Sequence, residues 1–516
     1  MNNLKELLLK EIPEFREFGH KFINGEVNKM QFKSVSGGFG IYAHRDGKKF
    51  MIRLRVSSGV MSVSQLKTIY NLAKKYNLEK IHLTTRQAIQ FHGLSIDEVC
   101  NVMEEALHMD IFTRGGGGNF PRNVGLSPLS GVDPKEVFDV TPYALASERH
   151  FIKEIYKYKL PRKLKVSFSS GNDDRAHCTV QDLGFVATKE NGKEGFRVFF
   201  GGGLGRNPAL AIELGEIIDP KDVLYHLEAM LALFINEGNY ENKNKARVRY
   251  MVEKLGKDGF RNEYKKYLKE AKGQGGLDLK IENINYDKPG VHADLCNKRV
   301  YPQKQQGLYS IYVHPIGGQL YLRDLEKLLC ALESMETIYL RATMTEGLYI
   351  LNLNGDEAKR ILDLTKDFSA ETELEQSVSC IGVPTCQMGI LQSQHMLEEI
   401  IKYFRENNFT EDILPRIHIS GCPNSCGVHQ IGKIGLTGKI KRVNDVSINV
   451  YELHIGGNFQ VCKSALGKVY GDIPENKVCE LLLELAKAAK DSGVTFEKWI
   501  CDEEHKLKEI VNRFAV

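Results

Sequence analysis

A chain of 516 residues with 42% hydrophobic and 26% charged side chains has ample core material and the length of several domains. Its 70 basic and 66 acidic residues leave a formal charge of +4, too even to mark a nucleic-acid binder, so any strong positive field has to be local. Eleven cysteines, with no signal-peptide core and no apolar run of about 20 residues, point to a cytoplasmic protein that keeps thiols or metal ligands rather than a disulfide framework or a membrane span.

Residues 1–15 set Leu and Ile among Lys and Glu at helical spacing. Next comes Phe39-Gly-Ile-Tyr-Ala-His44, which is echoed far downstream by Tyr309-Ser-Ile-Tyr-Val-His314. Each is followed by a Gly-containing turn, an apolar strand and an amphipathic helix, the first of these over 64–76. Both helices lead to strands, Ile81-His-Leu83 and Ile338-Tyr-Leu340. A helix over 144–158 precedes a second echo, Pro161-Arg-Lys-Leu-Lys-Val166 against Pro415-Arg-Ile-His-Ile-Ser420, continued by Phe199-Phe-Gly-Gly-Gly203 against Leu453-His-Ile-Gly-Gly457. Residues 272–306 are rich in Gly, Asn and Lys and read as a connector, and a helix over 476–492 closes the chain. The order of units is therefore A, B, A', B', which predicts a mixed α/β fold built by duplication, with pseudo-two-fold symmetry and a site between the halves.

Four cysteines stand in two tight pairs, Ser379-Cys-Ile-Gly-Val-Pro-Thr-Cys386 and Gly421-Cys-Pro-Asn-Ser-Cys-Gly427. Thiolates are soft donors suited to zinc or to iron-sulfur clusters. Structural zinc favours shorter spacers than the first pair has, so a cluster is the preferred reading, with zinc or unligated core cysteines as the alternatives. Neighbouring Gly lets backbone amides approach inorganic sulfide, and Pro384 and Pro423 restrict the loops. The other seven cysteines are scattered, and Cys330 and Cys479 fall at apolar helix positions as packing residues.

A second group of motifs is basic: Met51-Ile-Arg-Leu-Arg55, Leu83-Thr-Thr-Arg-Gln-Ala-Ile-Gln-Phe-His92, Pro121-Arg-Asn-Val124 and Leu160-Pro-Arg-Lys-Leu-Lys165. On strands Arg53 and Arg55 would share a face, as would Lys163 and Lys165, giving a cationic pocket for a small oxyanion or a carboxylate-rich cofactor. Ordinary solvent-facing strand residues are the plainer reading for any one of them. Gly201-Gly-Gly-Leu-Gly205 does not match a nucleotide-binding loop and is either a surface for a flat cofactor or a plain turn.

Taken together, the two cysteine pairs, the LTTRQAIQFHG, PRNV and LPRKLK segments and the duplicated order closely resemble the siroheme-dependent sulfite and nitrite reductases over nearly the whole chain. The resemblance implies an α/β (α+β type) fold. Its parts would be an N-terminal arm (1–30), a ferredoxin-like half-domain (31–125), a siroheme-binding α/β domain with the connector (126–300), a second ferredoxin-like half-domain (301–372) and a cluster- and siroheme-binding α/β domain (373–516). It implies a 4Fe-4S cluster on Cys380, Cys386, Cys422 and Cys426, with Cys426 shared with the siroheme iron. It puts Arg53, Arg122, Lys163 and Lys165 at the oxyanion, and Thr84, Arg86, Gln90, His92, Arg162 and Asn424 around the macrocycle. Arg247 and Arg249 resemble a further basic segment near it.

In that family the second basic position of the LPRKxK segment tends to be Lys in sulfite reductases and Asn in nitrite reductases. Lys165 therefore sets the expectation of six-electron reduction of sulfite, with nitrite as the alternative. Electrons would come from ferredoxin first, or a separate flavoprotein second. A cluster-only electron carrier or redox sensor would not need the basic residues, whereas the corrinoid-pathway branch on the same scaffold would carry the same cysteines.

Overall fold

The computed structural model describes residues 2–516 and contains, among them, four five-stranded sheets and thirteen α-helices. No helix among the described residues is long and apolar enough to cross a membrane. The expected helices are present as Val63–Lys75, Thr141–Lys153 followed by a tighter turn, Ile155–Lys157, and Val478–Asp491. The first shows why: Ser62 Oγ accepts from the Gln65 amide at 3.1 Å while Gln65 Oε1 accepts from the Ser62 amide at 3.0 Å, a reciprocal cap that satisfies two otherwise orphaned donors. Within the expected connector, 272–306, residues 275–299 contain neither helix nor strand, whereas Val300–Pro302 is a strand of the second antiparallel sheet.

The duplication is explicit in the topology. One antiparallel sheet runs in the order Ile41–Ala43, Phe50–Leu54, Ile89–Leu94, Lys80–Leu83, Gln319–Tyr321. Its counterpart runs Val300–Pro302, Leu308–Val313, Leu348–Asn354, Tyr339–Ala342, Val60–Met61. The last strand of each sheet comes from the other half of the chain: Leu320 pairs with Ile81, and Met61 with Leu340. Each copy thus lends a strand to its partner, and a single hydrophobic core containing Ile52, Phe91, Ile311 and Ile350 spans both sheets.

The other two sheets have matching mixed topologies. Gly125–Leu126, Val166–Ser169 and Leu183–Glu190 are parallel neighbours, followed by antiparallel Lys193–Phe200 and Ile212–Ile218. Val378–Ser379, Ile417–Ser420, Ile434–Val443, Val446–Ile455 and Lys468–Pro474 repeat the pattern on their own core.

Two details of the sequence echoes are corrected by strand pairing. By its place in the sheet, Leu308–Val313 corresponds to Phe50–Leu54 and not to residues 39–44: Val313 lies opposite Leu348 as Leu54 lies opposite Ile89. Neighbouring strands of a hairpin share the same apolar alternation, so the similarity slipped by one strand. The Pro161 and Pro415 segments are three residues out of register, because Val166 pairs with Leu183 where Ile417 pairs with Ile434. Cys330 also departs from expectation. It is exposed on Leu322–Leu332, whereas Cys100 and Cys178 are buried and Cys479 is half-buried.

Candidate active site

The LTTRQ segment is the turn between Lys80–Leu83 and Ile89–Leu94. Thr84 Oγ1 accepts from the amides of Arg86 and Ala88 at 3.3 and 3.2 Å, and Gln87 adopts φ 54°, which tightens the turn. The buried Gln87 side chain then bolts it in place, donating to the carbonyls of Leu126 and Ala342 and accepting from the Leu126 amide. Asn123 Nδ2 adds bonds to the carbonyls of Arg86 and Gln87. Arg86 is thereby aimed across the first α/β sheet, where it reaches the Val166 carbonyl at 2.6 Å, Ser167 and Gln181.

Around this turn the structure gathers the predicted basic side chains, and it sorts them into two kinds. Arg55, just past the end of its strand, is buried and neutralised: Nε and Nη2 both donate to Glu148 Oε1 at 3.0 and 2.7 Å, and the other carboxylate oxygen accepts from the Val124 amide. Arg247 is likewise held by Asp182 in a bidentate pair at 2.9 and 2.8 Å, with Asp182 also accepting from the Lys165 amide. These two corrections remove Arg55 and Arg247 from the free cationic set. Each becomes a support for the loop beside it. Glu148 and Asp182 carry no pattern in the sequence that would have singled them out.

Arg53, Arg86, Arg122, Arg162, Lys163, Lys165 and Arg249 form the second kind, and none has an acidic partner among the described residues. With the Gln90 amide oxygen turned toward it, Arg53 donates to that oxygen from Nε at 3.0 Å and Nη2 at 2.7 Å. The same amide then donates to His92 Nε2 at 3.1 Å. Arg122 reaches only carbonyls, Gly115 at 3.2 Å and Gly118 at 2.8 Å. Lys163 and Lys165 flank fully buried Leu164 on an extended segment bridged to Pro121, so both turn to the same side, open to the cleft but closely walled by protein.

Burial and crowding of like charge hold Arg86, Arg122, Arg162, Lys163, Lys165 and Arg249 below their ordinary values. Arg86 falls to about 10, Arg122 to about 9 and Lys165 to about 7, in each case mainly by burial and then, for Lys165, by Arg86 and Arg247. Lys163 is driven well down by burial and by Lys165. His92 is also pushed down by burial beside His82 and His44, whose rings lie 6.1 and 5.7 Å away.

The cysteine loops face this pocket. Thr85 Oγ1 donates to the Cys426 carbonyl at 2.8 Å, and Gln430 exchanges two bonds with Gly205, joining the Gly201–205 loop to the segment after Cys426. Gly421 is required by close approach, since a Cβ there would stand 2.5 Å from the Leu391 carbonyl. Its amide donates to Cys380 Sγ at 3.2 Å. Burial and then the neighbouring thiols disfavour ionisation of Cys380, Cys386 and Cys422, and burial together with Cys426 pushes Cys380 up to about 12. Among the described residues no three His, Cys, Asp or Glu are gathered tightly enough for a single ion. Asn424 is exposed in this loop and favours the thiolate of Cys422 beside it.

Known proteins are similar to this chain in sequence and in fold. Residues 42–109 match the nitrite/sulfite reductase ferredoxin-like half domain, and residues 117–272 match the nitrite and sulphite reductase 4Fe-4S domain. The cysteines lie in the second copy, outside both matched segments. A chloroplastic ferredoxin-nitrite reductase from Arabidopsis thaliana is 26% identical over 447 residues, covering 83% of this chain and 73% of that protein. An assimilatory ferredoxin-dependent nitrite reductase from Haloferax mediterranei is 24% identical over 519 residues, covering 95% and 88%. The solved structure of the Mycobacterium tuberculosis NirA protein shares the fold, with a TM-score of 0.79 at 23% identity over 98% of this chain and 96% of that one.

The chain belongs to the siroheme-dependent sulfite and nitrite reductase family. Members of this family carry siroheme and a 4Fe-4S cluster, and the residues present fit both. Four grouped thiols supply the donor set for the cluster. For the polycarboxylate macrocycle there are buried donors without partners, Arg86 Nε, His92 Nδ1 and both Nε and Nη1 of Arg249. Gly203 leaves a backbone surface beside Arg249, where a Cβ would come within 2.6 Å of Nη1.

Proposed function

We propose that this protein carries out the six-electron reduction of a small oxyanion, nitrite in the first place, with ferredoxin as electron donor. The observation that supports it best is the convergence of Arg53, Arg122, Lys163 and Lys165, without an acidic partner, beside the Cys426 loop. The relatives named as ferredoxin-dependent nitrite reductases favour nitrite over the sulfite expectation.

In this reading Cys380, Cys386, Cys422 and Cys426 would hold the cluster, with Cys426 also nearest the siroheme iron. Thr84, Arg86, Gln90, His92, Arg162, Arg249 and Asn424 would surround the macrocycle. When bound, the coupled siroheme and cluster supply the electrons and the site where the oxyanion's central atom binds. The protein's part is to bind, orient and protonate. Arg53 is locked by Gln90 and by the Gly116 carbonyl, so its fork presents donors in one direction. Arg122 is fixed by two carbonyls that leave its charge uncompensated for an anion. Lys165, lowered to about 7 by burial and then by Arg86 and Arg247, is suited to deliver an Nζ proton to oxygen leaving as water near neutral pH, and Lys163, also lowered by burial, stands beside it.

Sulfite remains a second reading on one specific ground: two lysines on the same side of the cleft favour a dianion over a monoanion. Purified holoprotein tests the proposal. Siroheme absorption bands together with viologen-driven formation of ammonia from nitrite support it. An iron-sulfur spectrum without siroheme would instead describe an electron carrier. Sulfide formed from sulfite with higher kcat/KM than ammonia from nitrite would reverse the order of substrates.

A further inference from the structure

The turns that close the two antiparallel sheets carry a glutamine in one copy and a glutamate in the other. Leu83 pairs with Ile89 where Ala342 pairs with Leu348, so Gln87 and Glu346 hold the same place, and both adopt a left-handed backbone, φ 54° and 61°. Each reaches the second residue of a short parallel strand: Gln87 Oε1 accepts from the Leu126 amide at 2.8 Å, and Glu346 Oε2 accepts from the Ser379 amide at 2.9 Å. Gln87 then uses its amide nitrogen, donating to the carbonyl of Leu126 at 2.9 Å and, in the other copy, to that of Ala342 at 2.7 Å. A glycine makes room beside each side chain. A Cβ on Gly59 would stand 2.9 Å from the Ala342 carbonyl and 2.9 Å from Gln87 Nε2, and one on Gly318 would stand 2.6 Å from the Leu83 carbonyl and 3.0 Å from Glu346 Cβ.

A glutamate in that place has almost nothing to balance a charge. Glu346 is 1% exposed, forms no ion pair among the described residues, and has the Ser379 amide as its one hydrogen-bond donor among them. No charged side chain stands close enough to act on its carboxyl, which burial drives well above its ordinary value while the Ser379 amide opposes this only in part. The His82 ring, across Gly318, is itself held neutral, lowered to about 4 by burial and then by Arg53 and Lys80. An ionised carboxylate with a single neutral donor is among the costliest groups to bury, whereas the neutral acid gains a hydroxyl that can donate. The Ser379 carbonyl is already taken by Gln394 Nε2 at 2.7 Å, which leaves the Leu83 carbonyl, the counterpart of Ala342, as the acceptor for that hydroxyl.

We propose that Glu346 is a neutral carboxylic acid that takes the part of Gln87, accepting from the Ser379 amide with one oxygen while its hydroxyl donates to the Leu83 carbonyl across the boundary between the copies. Leu83 leads directly into the turn that aims Arg86, and Ser379 leads directly into Cys380. One proton thus fastens the start of the turn that would contact the macrocycle to the start of the first cysteine loop. Glu346 is in this way a positioning residue for the spacing of the two cofactors and a ligand of neither. This consequence rests on the reading of the four cysteines as cluster ligands; the protonation of Glu346 does not.

The test compares holoenzyme of the wild type with Glu346→Gln and Glu346→Met. Infrared difference spectra between wild type and Glu346→Gln are taken at about pH 8, where Asp174, raised to about 6 by burial, is ionised. The carbonyl stretch of a protonated carboxylic acid should appear in the wild type alone. Glu346→Gln supplies the same acceptor and donor with no proton to lose. It should keep acid-labile sulfide, siroheme content, siroheme-cluster magnetic coupling and midpoint potential at wild-type level, with viologen-driven nitrite turnover within about twofold. Glu346→Met fills the space and bonds to neither partner, so the coupling should weaken and turnover should fall about fivefold or more. A wild type without the acid band, or a Glu346→Gln variant whose potential shifts, would overturn the proposal by showing a charged carboxylate. Glu346→Met with full coupling and turnover would overturn the positioning role, and so would loss of the cluster in Glu346→Gln, which decides the matter if the methionine variant does not fold. A wild type lacking a 4Fe-4S signal would instead strike at the reading of the cysteines, with the infrared band still deciding the state of Glu346.

Discussion

Replacing Lys165 by Asn should move the enzyme's preference toward nitrite. Lys165 shares its side of the cleft with Lys163 and has no acidic side-chain partner, so an anion bound there favours its protonated form and meets its charge. At an effective dielectric of about 20, one ammonium about 4 to 6 Å from a unit charge contributes about 3 to 4 kcal/mol. The cleft is open to water and Lys163 remains, which reduces the net difference between a dianion and a monoanion to about 1 to 2 kcal/mol. That corresponds to a fall of about fivefold to thirtyfold in the ratio of kcat/KM for sulfite to kcat/KM for nitrite. Steady-state rates for both anions with one viologen donor measure the ratio directly. Lys165→Arg, which keeps the charge, should retain most of the wild-type ratio. A ratio that does not move in Lys165→Asn, or moves toward sulfite, would mean that Lys165 does not face the bound anion.

Other consequences are equally direct. Cys426→Ser should lose both cluster iron and the magnetic coupling to siroheme, and Cys380→Ser should lose acid-labile sulfide, because a hydroxyl is a hard, poor ligand for iron; full iron and sulfide content in either refutes the ligand set. Glu148→Gln strips the counter-charge from Arg55, both side chains being at most 3% exposed, and should cost about 3 kcal/mol or more in chemical denaturation. A loss below about 1 kcal/mol would show that the pair is not structurally required. In protein freed of cofactors, Lys165 titrates at about 7 when folded against 10.5 as its ordinary value, with burial first and then Arg86 and Arg247 disfavouring its charge and Asp182 and Cys426 favouring it. The unfolded chain therefore binds the extra proton between those values. The destabilising effect of Lys165 is complete below pH 7 and fades as pH rises toward 10.5. Lys165→Met should accordingly stabilise the apoprotein at pH 7 and progressively less at higher pH; a stability difference that is constant with pH would contradict the assigned burial.

The site was more legible in the sequence than its supports. Paired cysteines with fixed spacers and Arg or Lys at alternate strand positions carry their chemistry in residue type, so Lys163, Lys165 and the cysteine loops emerge from the sequence alone. What distinguished Arg53 from Arg55, or Arg249 from Arg247, was a carboxylate brought in from far along the chain, Glu148 in one case and Asp182 in the other. No local pattern announces such a partner. The duplication was visible, but its register was not, because the two strands of a hairpin share the same alternation. The strand Val60–Met61 is too short to have any periodicity, so its transfer to the opposite sheet could be found only in three dimensions.

That transfer has a bearing on how the molecule comes into being. Lys80–Leu83 leaves the ribosome with one edge unsatisfied and waits for Gln319–Tyr321, which is synthesised nearly half a chain later. Until then the nascent N-terminal portion carries an open sheet edge and part of a core whose remaining side chains do not yet exist, a state exposed to chaperones and to mispairing. Severing the chain in the connector should therefore yield two pieces that are insoluble when made apart and that recover together when made in one cell. The exchange also makes the two copies answer to a single geometry. The basic pocket of one and the cysteine loops of the other are set against each other by the same act that completes both sheets, so a polypeptide able to receive its cofactors is already one whose halves are correctly assembled.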